Sequence, residues 1–184
     1  MTPLPGPLAA GPLMAWRLDE ARFAATWDLG EGAYRGGGRW NSKGVRVVYC
    51  AIDPATAILE VAVHKTFGVL DTVPHVLTSL EILDPAQVHV AQPTAVPNPN
   101  WLRPGLPSAG QQAFGDALLA AHPFVVIPSA FSTHSWNLLF VAASPPEAIR
   151  WKASSRSPWT PDCIRLHLEG SNFPEPSALA GHQR

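Results

Sequence analysis

The run Gly37-Gly38-Arg39-Trp40-Asn41-Ser42-Lys43-Gly44-Val45-Arg46-Val47-Val48-Tyr49-Cys50-Ala51-Ile52-Asp53-Pro54 leads on to Ala57-Ile58-Leu59-Glu60, and it orders a loop, a strand and a helix. Residues 30–44 hold six of the chain's fourteen glycines, which predicts irregular backbone with positive φ. Residues 45–51 are β-branched and apolar, the composition of a strand. Asp53-Pro54 then supplies an N-cap and a proline at the first helical position, so a helix opens over residues 55–67, with Gly68 placed to end it. Twenty prolines and fourteen glycines argue against a helical bundle, and the expected class is α+β.

Working outward, residues 13–18 form a short apolar run with Arg17 inside it, followed by a helical-looking stretch to Trp27. Residues 1–12 carry Pro3, Pro5, Pro7 and Pro12 and read as a loose leader. On the other side, residues 76–83 and 88–90 read as short strands divided by Asp84-Pro85, and residues 92–107 as a proline-rich connection containing Trp101. Ser108 and Gln111 have capping-box spacing ahead of a helix that runs to Ala121. Residues 124–127 form a buried strand stopped by Pro128, residues 137–142 another, and residues 163–168 a last one. One domain over residues 13–168 with a polar tail from 169 to 184 is the expected organisation.

Composition narrows the function. A chain of 184 residues, 46% hydrophobic and 15% charged, can bury one core. Thirteen basic against fourteen acidic side chains leave no positive field to hold DNA or an anionic membrane directly. No apolar run reaches the ~18 residues needed to span a bilayer. Two cysteines, Cys50 and Cys163, and a start with no basic segment before an apolar one fit a reduced, cytoplasmic protein.

Certain side chains stand out against their surroundings. Glu60 lies in a helix that is apolar on nearly every side, and a buried carboxylate must be paired, hydrogen-bonded or protonated, so it marks a structural ion pair or a site. His64 falls one turn on, where a surface histidine is the plainer reading. Arg17 poses the same question within an apolar strand: an anion to grip, or an internal salt bridge with a residue such as Glu60. Arg35 and Arg39 flank three glycines, an arrangement that suits either a phosphate or a solvated turn. The loop lacks the third glycine of a dinucleotide fingerprint and the Gly-Lys-Ser/Thr of a P-loop. Tyr49 can stack on a ligand or fill the core. Ser129, after Ile127-Pro128, can point into a cleft or serve turn chemistry; with Gly-x-Ser-x-Gly absent, a serine hydrolase has weak support. Neither HExxH nor paired CxxC occurs, so no metal is expected.

Taken in order, these pieces resemble the RES domain, a family named for its arginine, glutamate and serine. Trp16-Arg17 is similar to the family's opening aromatic-Arg, and residues 37–44 to its Gly-Gly-Arg-Trp-Asn-Ser-x-Gly signature. Val48-Tyr49-Cys50-Ala51 resembles its strand end, and Ala57 to His64 the helix bearing its glutamate. Ile127-Pro128-Ser129, Asn137-Leu138-Leu139 and residues 162–166 resemble its later blocks. The chain departs from the family in Trp16, where tyrosine is usual, and in Phe140-Val141, where Asn-Pro is common.

The resemblance implies an ADP-ribosyltransferase-like fold, a split β-sheet with flanking helices around an NAD cleft, and a toxin of a toxin–antitoxin pair that consumes NAD as its substrate. Glu60 would stabilise the ribosyl cation as nicotinamide leaves, and Ser129 would position ribose or amide. Arg17 and Arg39 would hold the diphosphate, Tyr49 would stack on nicotinamide, and Asn137 is a further candidate. The expected partner is an Xre-type antitoxin that blocks the cleft, with DNA reached only through it. Water or phosphate is the expected acceptor of ADP-ribose. The alternatives are a mono-ADP-ribosyltransferase acting on a host protein through the same site, and a non-catalytic binding module.

Overall fold

A computed structural model of the chain describes residues 13–101, 105, 107–132, 134–142 and 146–156. The expected leader, tail and strand at 163–168 lie outside them, as does the block at 162–166. Seven strands form a single mixed sheet: β1 (Leu13–Glu20), β2 (Val47–Ala51), β3 (His75–Ile82), β4 (Val88–Val90), β5 (Phe124–Pro128), β6 (Trp136–Val141) and β7 (Ile149–Arg156), in the order β4-β5-β6-β2-β1-β3-β7. β4 and β5 pair in parallel, and every other neighbouring pair is antiparallel. The helices are α1 (Glu31–Gly36), α2 (Pro54–Lys65), α3 (Phe67–Thr72) and α4 (Ala109–Ala121).

The sheet is nearly cut in two. β1 meets β2 at the single register pair Trp16↔Ala51, whereas β1 meets β3 over eight pairs from Leu13↔Ile82 to Glu20↔His75. One half is therefore β4-β5-β6-β2 and the other β1-β3-β7, the split sheet expected from the family resemblance. Side chains alternate faces along each strand. Val48, Cys50, Phe124, Val126, Leu138 and Phe140 join Ala15, Leu80 and Ile82 in one core cluster. Val47, Val125, Ile127 and Leu139 point the other way, where Trp40, Trp101 and Leu119 of α4 cover them. Because both faces are covered, β5 and β6 read as continuous apolar runs rather than alternating ones. A third cluster packs Ile58, Val61 and Ala62 of α2 with Leu70 of α3 against Leu18 and Leu77.

The caps behave as the sequence indicates. The Asp53 carboxylate accepts from the Thr56 N–H at 2.8 Å with Pro54 opening α2, and Ser108 caps α4 by accepting from the Gln111 N–H at 3.2 Å. Three expectations need correction. α2 ends at Lys65, where Thr66 takes a positive φ of 72°, and Gly68 sits inside the following α3. The glycine-rich segment contains the short helix α1, with its positive-φ positions at Gly30, Gly37 and Gly44. The stretch after Leu18 stays extended to Glu20 and then forms a 3₁₀ turn over Ala21–Thr26. β7 carries Arg150 and Lys152 on an exposed edge, so no apolar periodicity marks it in the sequence.

His89 on the edge strand β4 stacks on His122, with ring centroids 4.1 Å apart, at a cavity of about 340 Å³ lined also by Gln87 and Pro123. Burial, with a smaller contribution from the charge of His122, holds His89 below its ordinary value of 6.5. As pH falls through 6.5, the unfolded chain binds a proton at this position that the folded chain refuses. Folding stability is thus expected to decline in that window, and denaturant titrations at descending pH should show a shallower decline for His89→Gln.

Candidate active site

Glu60 is delivered by the middle of α2, whose apolar face is anchored by Ile58, Val61 and Ala62. Its Oε1 accepts two hydrogen bonds, one from the Ser129 hydroxyl at 2.8 Å and one from the Asn137 Nδ2 at 2.7 Å. Its Oε2 has no hydrogen-bond partner among the described residues, and the side chain is half-buried. Two donors on one oxygen fix the carboxylate's orientation and leave the second oxygen for a ligand. Asn137 reaches Glu60 because β6 lies between β5 and β2, in register with Ile127 on one side and Ala51 on the other. Asn137 is 7% exposed, and its Oδ1 is buried with no hydrogen-bond partner among the described residues.

Ser129 follows β5 and organises the turn after it. Besides donating to Glu60, its Oγ accepts from the N–H of Phe131 at 3.2 Å and of Ser132 at 3.0 Å. With both lone pairs and the proton engaged, the hydroxyl is a fixed strut, poorly arranged to act as a nucleophile. The far end of the turn is tied down too, since Ser135 donates its hydroxyl to the Asp53 carboxylate. That bond and those to the N-terminal turn of α2 bring Asp53 below the usual carboxylate range, although burial opposes them as the largest single effect.

The glycine-rich loop presents Arg39 and spends most of its other side chains on itself. Trp40 is 2% exposed and packs among Trp101, Phe114 and Leu119. Asn41 is fully buried: its Nδ2 donates to the carbonyls of Ala33, Ser42 and Val45, and its Oδ1 accepts from the Tyr49 hydroxyl at 2.7 Å. The same hydroxyl accepts from the Trp40 N–H at 3.1 Å. A Cβ on Gly38 would sit 2.5 Å from that hydroxyl, so only glycine fits there. The Ser42 N–H is held by the carboxylate of Asp116 on α4. Asn41→Ala would leave the phenol and three carbonyls short of a partner, and we expect it to cost about 3 kcal/mol. A thermal melt should register this as a Tm lower by roughly 10 °C.

Arg39 emerges half-buried, donating to the Trp101 carbonyl at 2.8 Å, with its guanidinium 5.7 Å from the Phe131 ring centroid. Burial lowers its pKa, while the nearby negative charge of Glu60 raises it, which places the two groups within electrostatic reach. Tyr49 is pushed upward, first by burial, and is close enough to feel both Glu60 and Arg39. Its ring lies against the second core cluster with its hydroxyl tied to the loop.

Arg17 stands apart from this group. It forms a two-pronged ion pair with Asp19, Nε to Oδ2 at 2.8 Å and Nη2 to Oδ1 at 2.7 Å, and its Nη1 donates to the Tyr49 carbonyl at 2.9 Å. The internal salt bridge considered from sequence exists, but its partner is Asp19 rather than Glu60. Ala15 packs in the cluster that holds Cys50, and alternation puts Arg17 on Ala15's face of β1. Cys50 feels the charges of both Arg17 and Asp19, and burial pushes its thiol up to about 12. Arg17 thus fills the gap where β1 parts from β2, taking a carbonyl that a continuous ladder would have paired.

The structure therefore brings Glu60, Ser129 and Asn137 into direct contact and sets Arg39 and Tyr49 around them. It connects Arg17 through the Tyr49 backbone alone. Sequence reasoning missed Asn41 as the organiser of the loop, Asp116 as its anchor, and Phe131. Asn41 lay in the quoted signature without a role, and Phe131 carried no signal beyond its nearness to Ser129.

Residues 14–162 match the family described as the RES domain. The Prs ADP-ribosylating toxin of Sphingobium sp. (strain YBL2) is 41% identical over 86 residues, covering 45% of this chain and 53% of that protein. The match thus spans about half the length of that relative. Toxin Res of Pseudomonas putida is 36% identical over 121 residues, covering 65% of this chain and 81% of that protein. Among solved structures, the M. tuberculosis MbcT-MbcA toxin-antitoxin complex contains a chain similar in fold, with a TM-score of 0.65 at 21% identity over 89% of this chain and 98% of that one.

Proposed function

Since this chain belongs to the RES domain family, we propose that it is a toxin that consumes NAD by breaking the bond between nicotinamide and ribose. The observation that carries the reading is the Glu60 carboxylate, fixed through Oε1 by Ser129 and Asn137 and with no hydrogen bond to Oε2 among the described residues, with the Arg39 guanidinium in electrostatic reach. In NAD the electron pair of the glycosidic bond departs with the pyridinium nitrogen, which becomes neutral as positive charge develops on the ribose. A preorganised carboxylate stabilises that charge, as it does in glycoside hydrolysis. Nicotinamide is already a good leaving group, so a general acid is not required. Arg39 supplies a planar fork for the diphosphate. Tyr49 holds the loop that presents Arg39, and Arg17 secures the Tyr49 strand from behind.

What captures the ribosyl cation separates two forms of the activity. Water or phosphate gives free ADP-ribose or ADP-ribose-1″-phosphate, and a protein side chain gives an ADP-ribosylated target. The name of the Sphingobium relative favours the transferase as a second reading. A toxin of this kind needs silencing in its own cell, so the proposed partner is an antitoxin of the Xre type seated over the cleft, with any DNA contact made by the antitoxin. The proposed compartment is the cytoplasm, where NAD is available; no helix among the described residues is long and apolar enough to cross a membrane.

The test is incubation of antitoxin-free protein with NAD, alone, with phosphate and with a cell lysate, following nicotinamide and the ADP-ribose products by NMR. Release in buffer alone identifies a hydrolase, and release dependent on phosphate a phosphorylase. Release accelerated by lysate, with label entering a protein band, identifies a transferase. No nicotinamide under any condition overturns the enzymatic reading.

A further inference from the structure

We propose that Asp53 and Ser135 form a clasp that sets the orientation of the Glu60 carboxylate from a distance, which makes them positioning residues for the reaction; this rests on the NAD-cleaving reading above. Asp53 divides its carboxylate between two tasks. Its Oδ1 accepts from the Thr56 N–H at 2.8 Å and so caps α2, while its Oδ2 accepts from the hydroxyl of Ser135, a side chain 7% exposed at the far end of the turn after β5. Further along the same helix, the Glu60 Oε1 accepts from the Ser129 hydroxyl at the near end of that turn, at 2.8 Å. The two serines are themselves paired, the Ser129 N–H donating to the Ser135 carbonyl at 3.0 Å. The bonds close a circuit that runs from Asp53 along α2 to Glu60, across to Ser129, over to Ser135 and back to Asp53.

The sheet does not depend on this clasp. β2 and β6 are joined by register pairs from Val47↔Val141 to Ala51↔Asn137, and the Ile52 N–H donates to the Trp136 carbonyl at 3.1 Å just beyond them. α2 is also held by its own apolar face. What the clasp adds is a second tie between the helix that carries the carboxylate and the turn that orients it. Without it, Ser129 holds the turn to α2 through Glu60 itself, and the turn can shift the very group it has to steady. A preorganised charge acts through its placement, and a displacement of about 1 Å can cost about 10²-fold in rate. The clasp therefore serves the transition state, and its loss should fall on kcat rather than on KM.

The experiment uses Ser135→Ala, which leaves the cap of α2 intact, and Asp53→Ser, which keeps a capping oxygen for Thr56 but removes the second carboxylate oxygen. Ser135→Thr keeps the hydroxyl and serves as the rescue. Steady-state NAD cleavage should show kcat lower by about tenfold in the first two, KM within about twofold of wild type, and near wild-type values for Ser135→Thr. In a Glu60→Gln background, Ser135→Ala should change the remaining rate by less than about twofold, because there is no charge left to place. Amide hydrogen exchange gives a readout that needs no turnover. The N–H groups of Phe131 and Ser132 rest on the Ser129 Oγ, and their exchange should quicken about tenfold in Ser135→Ala and Asp53→Ser but not in Ser135→Thr. A Ser135→Ala protein that melts earlier with kcat unchanged, or that loses as much rate again in the Glu60→Gln background, overturns the proposal, as does unchanged exchange at Phe131 and Ser132. If wild type cleaves no NAD, the enzymatic reading fails, and the exchange rates alone decide whether the clasp holds the turn that supports Glu60.

Discussion

Replacing Glu60 by glutamine is expected to lower the rate of nicotinamide release from NAD by about 10²-fold or more, with the melting temperature almost unchanged. Glutamine keeps an amide oxygen in the place of Oε1, so the Ser129 hydroxyl and the Asn137 amide retain their acceptor, and the turn and β6 stay in position. What disappears is the negative charge that the proposed reaction sets beside a developing ribosyl cation. Because the charge acts in the transition state more than in the bound substrate, kcat is the quantity that should fall, with KM near its starting value. Single-turnover release measured alongside a thermal melt checks both halves. A variant that cleaves NAD at the wild-type rate removes Glu60 from the mechanism, and one that melts early shows that the carboxylate serves the fold.

The second large effect is expected far from the carboxylate, at Gly115 on α4. A Cβ there would lie 2.1 Å from the Trp40 carbonyl oxygen and 2.7 Å from its carbon, both backbone atoms that cannot swing aside. Helix propensity alone favours alanine over glycine by about 1 kcal/mol. The overlap opposes it more strongly: α4 and the loop must separate, opening the layer in which Trp40 packs against Trp101 and Phe114 and straining the bond from the Ser42 N–H to Asp116. Overpacking of this kind costs about 3 kcal/mol, so Gly115→Ala should lose about 2 kcal/mol net. Since the displaced loop carries Arg39, NAD binding should weaken as well. Chemical denaturation measures the first effect and a binding titration the second; an unchanged or raised stability would show that loop and helix are not locked together.

These two variants mark the two kinds of information in the chain. The helix bearing Glu60 is written locally: Asp53 and Pro54 start it by capping chemistry within four residues, and an acid amid Ile58, Leu59, Val61 and Val63 is visible by contrast alone. The same holds for the positive-φ glycines, the Ser108 cap and the apolar strands β5 and β6. The signature loop was legible as a block but not in its division of labour. Its glycines with Arg35 and Arg39 suit either a phosphate or a solvated turn, yet Trp40 and Asn41 build the loop's own interior, and Arg39 emerges half-buried beside the Phe131 ring.

The sequence by itself determined the α+β class, the loop, strand and helix in order, and the identity of the residues with chemistry to offer. Only the tertiary structure decided which of them meet. Ser129 and Asn137 reach Glu60 across 69 and 77 residues of chain, through a strand order and register that no local pattern specifies. It also decided that Arg17 pairs with Asp19 in the gap between β1 and β2, because the two strands share one register pair and leave the Tyr49 carbonyl to be satisfied by a side chain. The reason is common to both. Propensities and caps act over a few residues and can be read along the chain, whereas a hydrogen bond between distant strands exists only after the sheet has chosen its neighbours.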